Sequence, residues 1–347
     1  MAAETGMLMS DLNDTARYLA GMQGGANSQL GEFRRTDHWR LHQANMNELW
    51  HRFSSSRMPR IEAFSRSELG GYRDAKTVFY PFGGPDFLFV HAFFPGAQNY
   101  VLGGLEGSEM VPPPQSLTAQ QREAGLDGIY TSLTTALNCS FFITKDMRVD
   151  LQRTQYRGTL PLVLAFMARL GMDIEAVAPV SLTPAGILEA GLANAGCPGY
   201  RVRCRSGFGP THQVYYFQEN LADGNLARDA RMLQFTRSLG PSVTYLKSAS
   251  YLMHTGEFSL IRRHILENSL AILEDDSGIP FRYFKPGQWS VLHYGNYSGV
   301  LDIFSEYYQP DLAAVYHSGG PEVQTIDFGI GYKFEAGQSA LLWARRL

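Results

Sequence analysis

Two adjacent carboxylates, Asp275 and Asp276, stand in "ILEDDSGIPFRYF" (residues 272–284), where an apolar pattern of helical spacing comes to an end. Acidic groups at a helix C-terminus oppose the macrodipole by roughly 0.3–1 kcal/mol each, so Glu274, Asp275 and Asp276 call for compensation there. An Asx-turn with Gly278 in a left-handed conformation would supply it, as would a cation, a partner such as Arg282, or a substrate hydroxyl. Neighbouring carboxyls can also split their pKa values, one staying a base and the other an acid, which is what general acid–base chemistry uses. Adjacent residues of an extended segment point apart, however, so a dyad forms only if the turn folds them together. A working pair and a plain turn both remain open. Ser277 lies outside the G-x-S-x-G pattern of an activated serine.

A second constellation is "FYPFGGPDF", where Gly83 and Gly84 follow a strand pattern and Pro85 and Asp86 begin a helix. Glycines at such a junction let a ligand approach backbone N–H groups. The spacing matches neither a dinucleotide fingerprint nor a P-loop, and the plainer reading makes Asp86 a first-turn carboxylate. His91, His212, Lys247, His254 and His293 are scattered through apolar segments. Singly each reads as a satisfied core residue; together they could converge on one cleft. His38, His42 and His51 fall on the polar side of a helical pattern and read as solvated. No recurrent His/carboxylate spacing marks a metal site, and no cofactor is assigned. The aromatic runs, with Trp289, could form a stacking wall for a sugar or another flat ligand.

These residues need elements to position them. Residues 11 to about 69 read as helices, with Trp39, Met46, Leu49, Trp50 and Phe53 at helical spacing. From Lys76 short extended runs alternate with helices: "TVFYPF", "GGPDFLFVHAFF" and "QNYVLGGLE" have the form of a βαβ unit. Helices are expected in "LDGIYTSLTTALNCSFF" and "TLPLVLAFMARLG", strands in "IEAVAPVSLT", "YRVRCRS" and "HQVYYFQ", and helices again in "PSVTYLKSASYLMH" and "FSLIRRHILENSLAILEDD". The run from aromatic strand through Gly-Pro to apolar helix occurs twice, a faint hint of duplication. The expected fold is mixed α/β: a helical N-terminal cap (1–75), then two sheet-containing halves (76–206 and 207–347) with a cleft between them, with one continuous domain as the alternative.

Composition limits the partners. With 30 Lys+Arg against 33 Asp+Glu the net charge is −3, which provides no basic field for a phosphate backbone, so nucleic acid is not expected. The apolar runs break before the roughly 20 residues needed to span a bilayer. The first 22 residues lack the form of a signal peptide, leaving a cytoplasmic protein or one whose leader has been removed. Cys197 and Cys204 flank "PGYRV" and could close a hairpin disulfide or be two unrelated thiols. Cys139 reads as a small core residue.

At "FYPFGGPDFLFVHAFFP", "YLKSASYLMH", "DDSGIPFRYF" and "DFGIGY" the chain resembles, over nearly all its length from Asn13, a family of bacterial proteins without an assigned activity, many of them made with an export signal. The resemblance implies a periplasmic or extracellular location and carries over no catalytic residue. Two functions are expected to compete. One is a hydrolase- or lyase-like enzyme on a small polar or glycan-derived molecule, with Asp275 or Asp276 as acid or base, His254 as partner, and Gly83, Gly84, Asp86, Lys247, Arg282 and Trp289 binding substrate. The other is a non-catalytic ligand-binding or envelope-assembly protein, with a protein partner possible, using the same cleft.

Overall fold

A computed structural model describes residues 9–142, 151, 153–191, 196–318 and 323–347; residues 1–8 of the expected cap lie outside them. Three helices come first, α1 (Met9–Leu19), α2 (Asp37–Ser55) and α3 (Arg57–Glu68). The helical spacing noted above is real: Trp39, Met46, Leu49 and Phe53 are all buried on α2, and Thr36 caps its start by accepting from the Trp39 N–H. His42 shares that buried face. Its Nε2 lies 2.9 Å from the Leu19 carbonyl, and burial lowers its pKa to about 4, so it is a neutral core residue rather than a solvated one.

The βαβ unit follows as β1 (Thr77–Tyr80), α4 (Phe87–Phe93) and β2 (Asn99–Gly104), the strands parallel. Next come α5 (Ala119–Cys139), opened by a reciprocal Thr118–Gln121 capping box, and α6 (Leu160–Arg169). The strands β3 (Met172–Leu182), β4 (Leu188–Ala190), β5 (Gly199–Ser206) and β6 (Thr211–Gln218) lead to α7 (Asp223–Leu226) and α8 (Arg231–Ser238). The chain continues through β7 (Ser242–Leu246), α9 (Ser259–Asn268), β8 (Ser269–Asp275), β9 (Trp289–Gly295), α10 (Pro310–His317), β10 (Val323–Gln324) and β11 (Ala340–Arg346).

The eleven strands among the described residues form one sheet, in the order β10-β9-β11-β8-β7-β1-β2-β6-β5-β3-β4. The regions 76–206 and 207–347 therefore share a sheet, with β6 seated between β2 and β5. The five central strands β8-β7-β1-β2-β6 are parallel, and antiparallel strands extend both flanks. Side chains alternate between two apolar layers, as period-two geometry requires. Val78, Tyr80, Tyr100 and Leu102 face the layer built with α1–α6; Phe79, Val101 and Ile272 face the one built with α7–α9. The architecture is thus mixed α/β with helices on both faces.

One expected helix begins as a strand, and the other is a helix only as far as Asn268. "SVTYL" is β7 and "SLAILED" is β8, because a central parallel strand is covered on both faces and so carries an unbroken apolar run that periodicity cannot tell from a buried helix. Asn268 ends α9 by turning its amide back to the His264 carbonyl (2.8 Å). The apparent duplication dissolves with β7, since its second copy has a strand where the first has a helix. Cys139, Cys197 and Cys204 are all free. Cys204 lies far along β5 while Cys197 precedes it, and about five residues of extended chain span roughly 17 Å, well beyond the reach of a disulfide. No helix among the described residues is long and apolar enough to cross a membrane.

Candidate functional site

The order of the parallel strands locates a crevice. From β1 the chain builds outward through β2 to β6, then returns to the other side of β1 to lay down β7 and β8. Loops after β1 and β7 consequently part company, and in doubly wound sheets ligands bind outside the carboxyl ends of the strands where this happens. A cavity of ≈ 320 Å³ opens at that point. Its walls are the turn after β1 (Phe82–Asp86), the ends of β2 and β6 (Gly104–Glu106 and Glu219–Leu221), the loop after β7 (Lys247–Ser250), and Phe141, Phe142 and Phe258.

Asp86 caps α4, accepting from the Phe89 N–H at 3.3 Å through Oδ1. Its Oδ2 accepts from the Tyr80 hydroxyl (3.0 Å) and pairs with Lys247 Nζ at 2.7 Å. Lys247 also donates to the Ser140 carbonyl and lies 3.9 Å from the centre of the Phe89 ring. Both charges are almost wholly buried. Burial pushes the Asp86 pKa up and the Lys247 pKa down, while each pulls the other back toward its charged form. The carboxylate and the ammonium are thus spoken for by each other and by the polypeptide.

Glu106 is different. It follows β2 and is 5% exposed, with its Oε2 accepting from the Tyr216 hydroxyl at 3.2 Å, whose closer bond is to the Glu106 carbonyl at 2.7 Å. Among the described residues Oε1 has no hydrogen-bond partner, and the side chain lines the cavity. One glycine makes room for it and another packs beside it. A Cβ at Gly104 would collide with the carboxylate, and Gly84, at φ +52°, would set one 3.5 Å from Oε2. Next to it Leu105 leaves 56% of its surface uncovered at the cavity wall. Neither Glu106 nor Glu219 stood out in the sequence. The available signal was position: an acid two residues past the end of a second parallel strand, 22 residues after Gly84.

The acid pair that the sequence singled out lies behind this wall. Asp275 ends β8, not a helix, and is buried. Its Oδ1 accepts from the Ser277 N–H (3.0 Å) and hydroxyl (2.5 Å), and its Oδ2 from the Ser248 N–H (2.8 Å). Asp276 turns the other way, and its Oδ2 accepts from the Tyr251 hydroxyl at 2.6 Å. The two carboxyls therefore sit in separate networks, and neither lines the cavity. Burial, with the adjacent Asp275 charge, pushes Asp276 up to about 7. His254 packs edge-on against the Tyr251 ring (5.2 Å between centroids), and burial with the Arg282 and Arg262 charges lowers its pKa to about 4. It hydrogen-bonds neither aspartate among the described residues.

What the turn does is hold the loop after β7. Ser248, Ser250 and Tyr251 all have positive φ (51°, 52° and 53°), a conformation that costs a non-glycine residue about 1–2 kcal/mol. Asp275 clamps Ser248, the Ser277 hydroxyl accepts from the Ala249 N–H (2.8 Å), and Asp276 anchors Tyr251.

The remaining expected site residues disperse. Gly83, Gly84, Asp86 and Lys247 line the cavity. Arg282 lies outside it, against the Tyr283 ring. Trp289 is 6% exposed at the start of β9, against Phe284 and Arg346, so it belongs to the opposite end of the sheet from this cavity. His91 and His212 do meet, with ring centroids 5.7 Å apart, but around Tyr100 at the start of β2. Burial and then His212 hold His91 down at about 3. Among the described residues no group of three or more His, Cys, Asp or Glu side chains is placed to hold a metal ion. Comparisons with protein-family models, with curated proteins and with solved structures found no match for the chain.

Proposed function

We propose that this protein binds a ribonucleoside-containing small molecule in the crevice between the β1 and β7 loops. One observation carries the reading: the buried Glu106 carboxylate at the end of the second parallel strand lines a cavity shared with Gly83, Gly84 and Gly104, and among the described residues only its Oε2 is hydrogen-bonded. A carboxylate so placed, about 20 residues beyond the first turn's glycines, is positioned to accept hydrogen bonds from a ribose diol. The cavity volume of ≈ 320 Å³ suits a nucleoside-sized ligand. Leu105 supplies apolar surface for the base, and Asn220 nearby, whose Oδ1 accepts from the Ala222 N–H, carries an amide of the kind that pairs with the N6/N7 edge of adenine.

The reading covers an enzyme using such a ligand as cofactor or substrate and a protein that only binds it. Hydrolase- or lyase-like chemistry would draw on groups at this crevice. Calorimetric titration with adenosine, 2′-deoxyadenosine and 3′-deoxyadenosine tests the diol contact. Adenosine should bind, and removing one hydroxyl should weaken binding by roughly tenfold or more, the worth of a hydrogen bond to a charged group. Glu106→Gln should weaken adenosine to a similar degree while its melting temperature stays near that of the wild type. Equal affinity for all three nucleosides, or no heat from any of them with folded protein, would reject the proposal.

A further inference from the structure

Resting on that reading, we infer that the ligand's 5′ side carries a cationic, phosphate-free substituent, the class of nucleoside that includes the sulfonium compound S-adenosylmethionine. In dinucleotide-binding sheets the turn after the first strand takes the pyrophosphate on backbone N–H groups at a helix N-terminus. Here that place is filled from within. Asp86 accepts the Phe89 N–H, so a fixed carboxylate stands where an anion would have to lie.

The charges around the cavity point the same way. Its described lining residues include three carboxyls, Asp86, Glu106 and Glu219, against a single cation, Lys247, and no arginine. Lys247 is consumed by Asp86 at 2.7 Å and by the Ser140 carbonyl. Among the described residues a phosphate would therefore find a net negative field and no uncommitted counter-charge, and charges of like sign in a partly desolvated site repel strongly. A cation would be attracted by the same field. Burial holds the Glu219 and Asp86 pKa values up, and an incoming positive charge would favour their ionised forms.

Calorimetry at low salt with adenosine, 5′-amino-5′-deoxyadenosine, S-adenosylmethionine and AMP separates the possibilities. The two cationic compounds should bind about tenfold or more tightly than adenosine, and AMP about tenfold or more weakly. In Glu219→Gln the ratio of cationic-compound affinity to adenosine affinity should shrink. AMP binding as well as adenosine or better would overturn the inference and leave the ribonucleoside reading intact. Cationic forms no tighter than adenosine would overturn it equally. Silence from all four compounds with folded protein would remove both.

Discussion

Asp86 and Lys247 show what a buried charge pair does when both members are also hydrogen-bonded. Removing one partner strands the other in the interior, a loss of about 3–5 kcal/mol, whereas replacing both by neutral groups of similar size is often tolerated. Asp86→Ala should lower the free energy of unfolding by about that amount in urea titrations, and Asp86→Asn with Lys247→Met should recover most of it. Because Asn keeps the α4 cap, recovery failing in the double variant would mean that the stranded charge is not what Asp86→Ala loses. Asp276 gives the pH counterpart. Its folded pKa, about 7, lies above the ordinary 3.8, so the folded chain holds a proton that the unfolded chain has lost. The associated stability is complete below about pH 4, declines as pH rises through the folded value, and is level above it. Asp276→Asn keeps an acceptor for Tyr251 and removes this slope. Wild-type stability should fall by about 1–2 kcal/mol relative to the variant between pH 4 and 7.5, less than the full pKa shift implies because the side chain is partly solvated.

At the scale of elements, the loop after β7 is held in unfavourable backbone angles by the turn after β8. Three successive anchors, Asp275 to Ser248, Ser277 to Ala249 and Asp276 to Tyr251, offset that cost. Asp275→Ala removes one acceptor used by Ser248 and Ser277 together. It should destabilise the protein by about 2–3 kcal/mol, and amide hydrogen exchange at Ser248 should rise at least as much as the global change accounts for. Protection at Ser248 unaltered in the variant would separate the two loops. The motif "DDSG" thus supports the site from behind, and its legibility was partial. The acidic run and the turn were plain in the sequence. That the preceding segment is a strand was not, because a strand with both faces covered has no polar side to reveal its period.

The described residues are organised by one sheet to which both 76–206 and 207–347 contribute strands. Because β6 hydrogen-bonds to β2 on one side and to β5 on the other, a chain divided between residues 206 and 207 would expose a long parallel edge on each fragment. Equilibrium unfolding should accordingly give coincident transitions by circular dichroism and by tryptophan fluorescence, and neither fragment should fold alone. Two separated transitions would instead mark the halves as independent units.

Local chemistry in the sequence was enough for the helical N-terminal region, the first βαβ unit, the Gly-Gly-Pro-Asp turn and the mixed α/β class, since caps, glycines and side-chain periods act within a few residues. The tertiary structure alone decided which side of β1 receives β7. That choice creates the crevice, brings Lys247 across 161 residues to Asp86, and sets Glu106 rather than Asp275 at the cavity wall. Strand order is a property of how covered faces and crossover connections fit together over the entire sheet, and no short window of residues contains it.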